Sequence, residues 1–339
     1  MLRIAVDGYN LATDQRGMGR YARSVLDALD TNNDVDLTIV LKNRRDMAPA
    51  EHGFQSARFL TLNEAARLPC DATWYPWNGM RFRLRGGSVA TIHDTFAFRY
   101  PNRNLIARRR EQQPIRRAVK EATLLTTVSK FSAQAVATEF GVPLERLTIS
   151  SPVPDAFWKP VAPANRPPYF LFIAAPDARK NAAMLFRIFA RAFPKRDVRL
   201  IVAGTLSSTD QRLLAASAIA SERVTPTDEQ LRELYSGAIA LLMPSLAEGY
   251  GVPAVEAMAC GSAVIASTAG GLPEACDGAA LLLPPADEAQ WVDAVARLVS
   301  DSSLREDLRA RSIARAARID RSLPAKIISE RLRQAAEGA

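Results

Sequence analysis

The sequence predicts an α/β protein built from two doubly wound parallel sheets. Three observations carry that prediction. Short apolar runs of strand length alternate with amphipathic helical patterns in both halves of the chain. A proline-rich, mostly uncharged stretch from Ser151 to Pro168 is the one good linker, which places a domain boundary near Trp158. The chain has 339 residues, enough for two cores. The expected domains are 1–157, 158–320 and a final helical segment, 321–339.

In the first half, residues 2–6 form a short apolar strand. A polar loop leads to Gly17, and Tyr21, Val25, Leu26 and Leu29 then recur at helical spacing. Residues 37–41 are the next strand. Residues 44–80 read as irregular apart from a strand at 72–75. A better strand, 88–92, ends at His93-Asp94, at a carboxyl end where open sheets bind ligands. Residues 104–120 form a very basic helix, followed by a strand at 124–128. Ser129 caps the next helix and Gly141 stops it, before a strand at 147–149. Asp34-Val-Asp36 precedes a strand and lies beside Asn32-Asn33, so it reads as a turn and not as a metal pair.

In the second half the expected strands are 169–174, 198–203, 221–224, 238–243, 263–266 and 279–283. Helices are expected at 228–235, 287–299, 304–318 and 324–336. The loop after the first of these strands gives way to Arg179-Lys180-Asn181 at a helix start. Two cations at that place read either as a phosphate clamp or as a solvated pair.

Chemistry concentrates between Pro244 and Glu274. A loop carrying Glu248, Gly249 and Gly251 lies between a strand and a helix whose first residue should be Pro253 and whose left-handed terminator is Gly261. Free amides around Tyr250, Gly251, Val252 and Ala254 favour an anion, and the glycines let the backbone approach it. Glu248 and Glu256, the latter expected in the first helical turn, flank that anion. Carboxylates repel phosphate but accept hydrogen bonds from sugar hydroxyls. The pattern suits a phosphate bridge between two hydroxylated rings, the form of a nucleotide sugar. The bland alternative makes Glu248 a surface charge and Glu256 a partner of the helix dipole.

Composition narrows the choices. No apolar run reaches the roughly 18 residues of a spanning helix. The chain opens straight into a strand without a signal-peptide pattern. Cys70, Cys260 and Cys276 are scattered and odd in number, which fits reduced cytoplasmic thiols better than zinc. His52 and His93 are too few for a histidine-rich metal site. The net charge of +8 calls for a polyanionic neighbour, and the excess concentrates between Met80 and Lys120, where eleven basic residues face only Asp94 and Glu111. That stretch reads either as a solvated basic face or as a contact with an anionic membrane or a lipid-diphosphate acceptor. A nucleic-acid-binding protein is the rival class, but no aromatic-basic interleaving supports it. Gly17-x-Gly19 lies about ten residues past its strand and the next strand ends without a ribose-binding acid, so a dinucleotide fingerprint fits poorly.

The run of about thirty residues from Pro244 resembles the signature of the retaining family 4 glycosyltransferases: Pro244-Ser245, Glu248-Gly249-Tyr250-Gly251-Val252-Pro253, Glu256-Ala257-Met258-Ala259-Cys260-Gly261 and Pro273-Glu274. Thr91-Ile-His-Asp94 and Arg179-Lys180-Asn181 resemble further family segments, though alanine stands where a glycine usually ends the strand before Arg179. The resemblance implies a GT-B fold, two Rossmann-like domains with a cleft between them. It implies that Glu248 holds sugar hydroxyls, Glu256 the ribose, and Lys180 and Arg179 the diphosphate. Gly17, Gly19, Gly249, Tyr250, Gly251 and Val252 would line the donor, and Thr225 would lie beside its base. His93 would contact the donor sugar, with Asp94 and Arg20 toward the acceptor. Transfer would retain anomeric configuration without metal or other cofactor. The donor would be a GDP-sugar ahead of a UDP-sugar, transferring a mannosyl or deoxyhexosyl group to a saccharide or lipid-linked acceptor in bacterial surface-polysaccharide synthesis. A GT-B epimerase or sugar-phosphate synthase is the alternative among enzymes. The expected location is cytoplasmic, on the inner face of the membrane where the basic stretch touches it.

Overall fold

The computed structural model describes residues 1–14, 17–46 and 53–338; His52 lies outside them. The chain divides into two compact units, Met1–Val153 with Asp320–Ala339, and Pro154–Ile319. The break falls at Pro154, ahead of the expected Trp158, because Trp158 is buried in the core of the second unit.

The first unit holds a seven-stranded parallel sheet in the order β3-β2-β1-β4-β5-β6-β7. Its strands are β1 Leu2–Asp7, β2 Val35–Leu41, β3 Arg58–Thr61, β4 Ala72–Tyr75, β5 Gly87–Ile92, β6 Leu124–Thr127 and β7 Leu147–Ile149. Successive side chains of a strand point to opposite faces. Ile4 and Val6 therefore join one apolar layer and Ala5 the other. Both faces are covered, as a parallel sheet requires. Helix Gly17–Asp30 and the last helix of the chain, Leu323–Glu337, share one of these layers: Tyr21, Val25 and Leu29 pack with Ile328, Leu332 and Ala335. β3 reads as irregular in the sequence because Arg58–Thr61 is short, only partly buried and offers just two apolar residues, Phe59 and Leu60. Asp36 lies within β2, on Arg58 at 2.7 Å.

The second unit holds a six-stranded parallel sheet, β10-β9-β8-β11-β12-β13. These strands are β8 Tyr169–Ala174, β9 Arg199–Gly204, β10 Ser221–Val224, β11 Leu241–Met243, β12 Val264–Ser267 and β13 Leu281–Leu283. Alternation again divides the core. Phe170 and Phe172 face Leu185, Ile188 and Trp291, whereas Tyr169 and Leu171 face Tyr235, Ala254 and Met258.

Each strand order reverses direction at one place. In the second unit it is between β8 and β11, so the loops leaving those strands diverge and open a crevice. One loop carries Arg179-Lys180-Asn181 and the other carries Glu248. In the first unit the reversal is between β1 and β4, beside Asp7 and Trp77, whose indole N–H donates to the Asp7 carbonyl.

Candidate active site

Two loops are knitted together at the reversal point of the second unit. Asp177 caps the short 3-10 turn Ala178–Lys180, accepting from the Arg179 amide at 2.9 Å. Asn181 then adopts a left-handed conformation (φ 57°), from which its amide group donates to the carbonyls of Pro244 at 3.1 Å and Pro285 at 3.2 Å. The Leu246 amide donates back to the Arg179 carbonyl at 2.7 Å. This lacing points Lys180 at Glu248, with Nζ 2.8 Å from Oε1. Ser245 Oγ donates to the same oxygen at 2.7 Å, and Ser245 is itself held by Ser267 Oγ, which donates to its carbonyl at 2.6 Å. Lysine has three N–H donors, so one on Glu248 leaves two for a phosphate. The Arg179 guanidinium lies on Asp177.

The Glu248 loop rests on the second glycine pair. A Cβ on Gly270, whose φ is 67°, would lie 2.3 Å from the Glu248 carbonyl oxygen. The Gly271 amide donates to that oxygen at 2.9 Å. Gly251 caps the following helix, Val252–Ala259, at φ 129°, a conformation L side chains rarely adopt. Pro253 is the second helical residue, one later than expected. The Ala254 amide, expected to face the anion, instead donates to the Gly251 carbonyl at 2.9 Å. The amides of Tyr250, Gly251 and Val252 have no acceptor among the described residues. Three consecutive amides at a helix N-terminus form an anion nest.

Glu256 begins the second helical turn, not the first, and is only 3% exposed. The Tyr235 hydroxyl donates to it at 3.4 Å. Burial and this nearby carboxylate push the Cys260 thiol up to about 12, which makes that cysteine inert. The Tyr250 ring is buried, with its hydroxyl pushed up to about 12 by desolvation, so only its amide belongs to the nest. Thr225 is exposed just past β10, at the rim of a cavity of about 170 Å³ shared with Tyr169, Gln230 and Glu233.

In the first unit, His93 and Asp94 leave the end of β5. Asn78, left-handed at φ 59°, accepts both their amides through Oδ1, at 2.8 and 3.4 Å. His93 Nε2 lies 2.7 Å from the Pro76 carbonyl, which can only accept, so the ring holds its proton there and keeps Nδ1 as an acceptor. Tyr21 packs edge-on against the ring, and burial pushes the imidazole down to about 4. Asp94 Oδ1 accepts from the Phe96 amide at 3.0 Å. Gly17 opens helix Gly17–Asp30. Gly19 must lack a side chain, because a Cβ would fall 1.9 Å from the Asp14 carbonyl oxygen. Arg20 follows, partly buried in the first turn.

Residues 167–301 match the family model described as "Glycosyl transferases group 1". The chain is a glycosyltransferase that carries a group 1 domain over those residues. It is 28% identical over 355 residues to the O-antigen chain mannosyltransferase B of Escherichia coli, covering 88% of this chain and 91% of that one. Among solved structures, this glycosyltransferase is similar to a sucrose-phosphate synthase from Thermosynechococcus elongatus, with a TM-score of 0.77, 17% identity and full coverage of both chains. It is also similar to Anabaena Alr3699/HepE in complex with UDP and glucose, with a TM-score of 0.79, 16% identity and coverage of 98% and 100%. At those identities the two structures speak for the fold, which is GT-B.

Within this glycosyltransferase, Lys180, Glu248 and the amides of residues 250–252 converge in the second unit, and Glu256 lies buried beside Tyr235. Sequence reading missed the supporting side chains Ser245, Ser267, Asp177 and Asn78. Ser245 and Asn181 lay inside quoted motifs, but their bonds depend on which strands are neighbours, and linear spacing does not show that.

Proposed function

We propose that this glycosyltransferase moves a mannosyl or deoxyhexosyl group from a GDP-sugar to a saccharide or lipid-diphosphate-linked acceptor in bacterial surface-polysaccharide synthesis. The observation that carries the reading is Lys180 on Glu248 beside three amides that have no acceptor among the described residues, at one strand-order reversal. The anion nest and the lysine suit a diphosphate, and the carboxylate between them suits a sugar hydroxyl. The similarity to a bacterial mannosyltransferase supports the choice of sugar.

In the reaction, the bond between the anomeric carbon and the diphosphate oxygen breaks. A bond to the acceptor oxygen forms on the same face, and the acceptor proton passes to the leaving phosphate. Negative charge grows on the diphosphate, and fixed donors aimed at it lower the barrier. Lys180 and the amides of residues 250–252 supply those donors. Arg179, tied to Asp177, acts at longer range. Glu248 orients the transferred sugar, and Ser245 and Ser267 hold Glu248. Glu256 anchors ribose hydroxyls. His93, neutral and donating to Pro76, acts as a hydrogen-bond acceptor and moves no proton. Metal has no part in this scheme, so activity should survive excess chelator; loss there would bring a metal back.

A thermal-shift panel of GDP-mannose, GDP-fucose, UDP-glucose and UDP-galactose tests the donor. Stabilisation by the GDP-sugars alone is expected. Stabilisation by the UDP-sugars alone would replace the base, and the HepE complex is the reason to include them. Product analysis with free sugar phosphate as acceptor tests the synthase alternative.

A further inference from the structure

We infer that the outer face of helix Leu105–Glu121 docks this protein on an anionic phospholipid surface. The inference is independent of the donor and its base. Asn104 caps the helix, accepting from the amides of Ile106 and Ala107, and Pro114, Ile115 and Ala118 fasten its inner face to the first unit. Pro114 also accepts the Met80 amide at 2.9 Å, which brings the arginine-rich segment after residue 80 alongside. Along the flank of the helix, beside Met80 and Pro114, runs a groove of about 790 Å³ walled by Arg81, Arg109, Arg110, Arg116, Arg117 and Lys120. Glu121, the one acid on that wall, is taken by Arg117 at 2.9 Å. The other five cations have no ion-pair partner among the described residues, and Glu111 of the same helix accepts from Asn102 at 3.2 Å.

Charge alone would suit any polyanion. The apolar residues decide among them. Leu105 and Ile106, the first two residues of the helix, are 71% and 70% exposed, and Tyr100 just before them is 43% exposed. Ile106 lines the same groove as the cations. A nucleic acid or a free phosphate gains little from an exposed leucine and isoleucine. The boundary between headgroups and acyl chains gains from both, with cations on phosphates and aliphatic side chains below them. No helix among the described residues is long and apolar enough to cross a membrane, so this contact would be peripheral.

The test is flotation of the full-length protein with vesicles of phosphatidylglycerol in phosphatidylcholine, against phosphatidylcholine alone, at low and high salt. Binding should require phosphatidylglycerol and fall as salt rises. In Arg109→Gln/Arg110→Gln/Lys120→Gln, affinity should drop about fivefold for each charge removed. Leu105→Ser/Ile106→Ser should weaken vesicle binding several-fold and leave its salt dependence unchanged. Both variants should keep the wild-type melting temperature, which shows that any loss belongs to the surface. Equal binding to neutral vesicles, or full retention by the triple variant, would overturn the inference. So would tighter salt-sensitive binding to a short single-stranded RNA than to the vesicles.

Discussion

At the scale of single residues, few groups converge on Glu248: Lys180 Nζ and Ser245 Oγ share one of its oxygens. Lys180→Ala should lower turnover by about a hundredfold to a thousandfold, the usual effect of losing one donor to developing charge, with the melting temperature changed by only a few degrees. Steady-state kinetics checks this, and near-normal turnover would remove Lys180 from the diphosphate site. Ser245→Ala should cut turnover less, about tenfold, because Lys180 still holds the carboxylate; Ser245→Thr should restore most of it. Two buried titratable groups in the first unit make opposing predictions. His93 takes up a proton near 6.5 when unfolded but only near 4 when folded. It therefore withdraws stability as pH falls through that window, about 3 kcal/mol in all. Asp7, fully buried, is pushed up to about 7 by desolvation, so its penalty grows as pH rises from 4 to 7 and persists above. Its Oδ2 has no hydrogen-bond partner among the described residues. Asp7→Asn should be more stable than wild type at pH 8 and should unmask the acid sensitivity of His93, as read by denaturant unfolding at several pH values. Glu248 and Lys180 were legible in the sequence as motif members. Their direct pairing, with Ser245 on the same carboxylate oxygen, was not, because it depends on β8 and β11 being neighbours.

At the scale of elements, the Glu248 loop keeps its shape through backbone contact with the glycine pair after β12. Gly270→Ala places a methyl group into the Glu248 backbone at a positive φ. It should cost about 1–3 kcal/mol of stability and weaken donor binding as the loop shifts, which calorimetry of both properties would show. Wild-type donor affinity in that variant would mean the loop does not shape the site. Most strands were legible, because apolar runs such as Phe170 to Ile173 sit between turn residues. β3 was not, since a four-residue edge strand with Arg58 exposed and only Phe59 and Leu60 apolar is too short to stand out. The start of helix Val252–Ala259 was read one residue late, since proline is accepted at the second helical position as well as the first. That small shift matters: it moves Glu256 to the second turn and the free amides to residues 250–252.

At the scale of the molecule, the two units repeat one plan, a parallel sheet whose strand order reverses once. The chain's last helix returns to the first unit, where Ile328, Leu332 and Ala335 are buried and a Cβ on Gly87 would meet the Ala335 carbonyl at 2.0 Å. Ending the chain at Ile319 should remove several kcal/mol of burial and abolish the cooperative transition of the first unit while sparing that of the second; calorimetry with both transitions intact would contradict this. The basic helix was visible in the sequence as charge, but its exposed Leu105 and Ile106 emerged only with the fold. In the proposed scheme Lys180 and the amides of residues 250–252 grip a diphosphate. Isothermal titration of GDP against GMP, and of UDP against UMP, into wild type and Lys180→Ala tests it most directly. The diphosphate of the cognate base should bind wild type at least about tenfold more tightly than the monophosphate, as befits a charge-assisted contact, and Lys180→Ala should erase most of that difference. An equal preference for the diphosphate in both proteins would contradict the account.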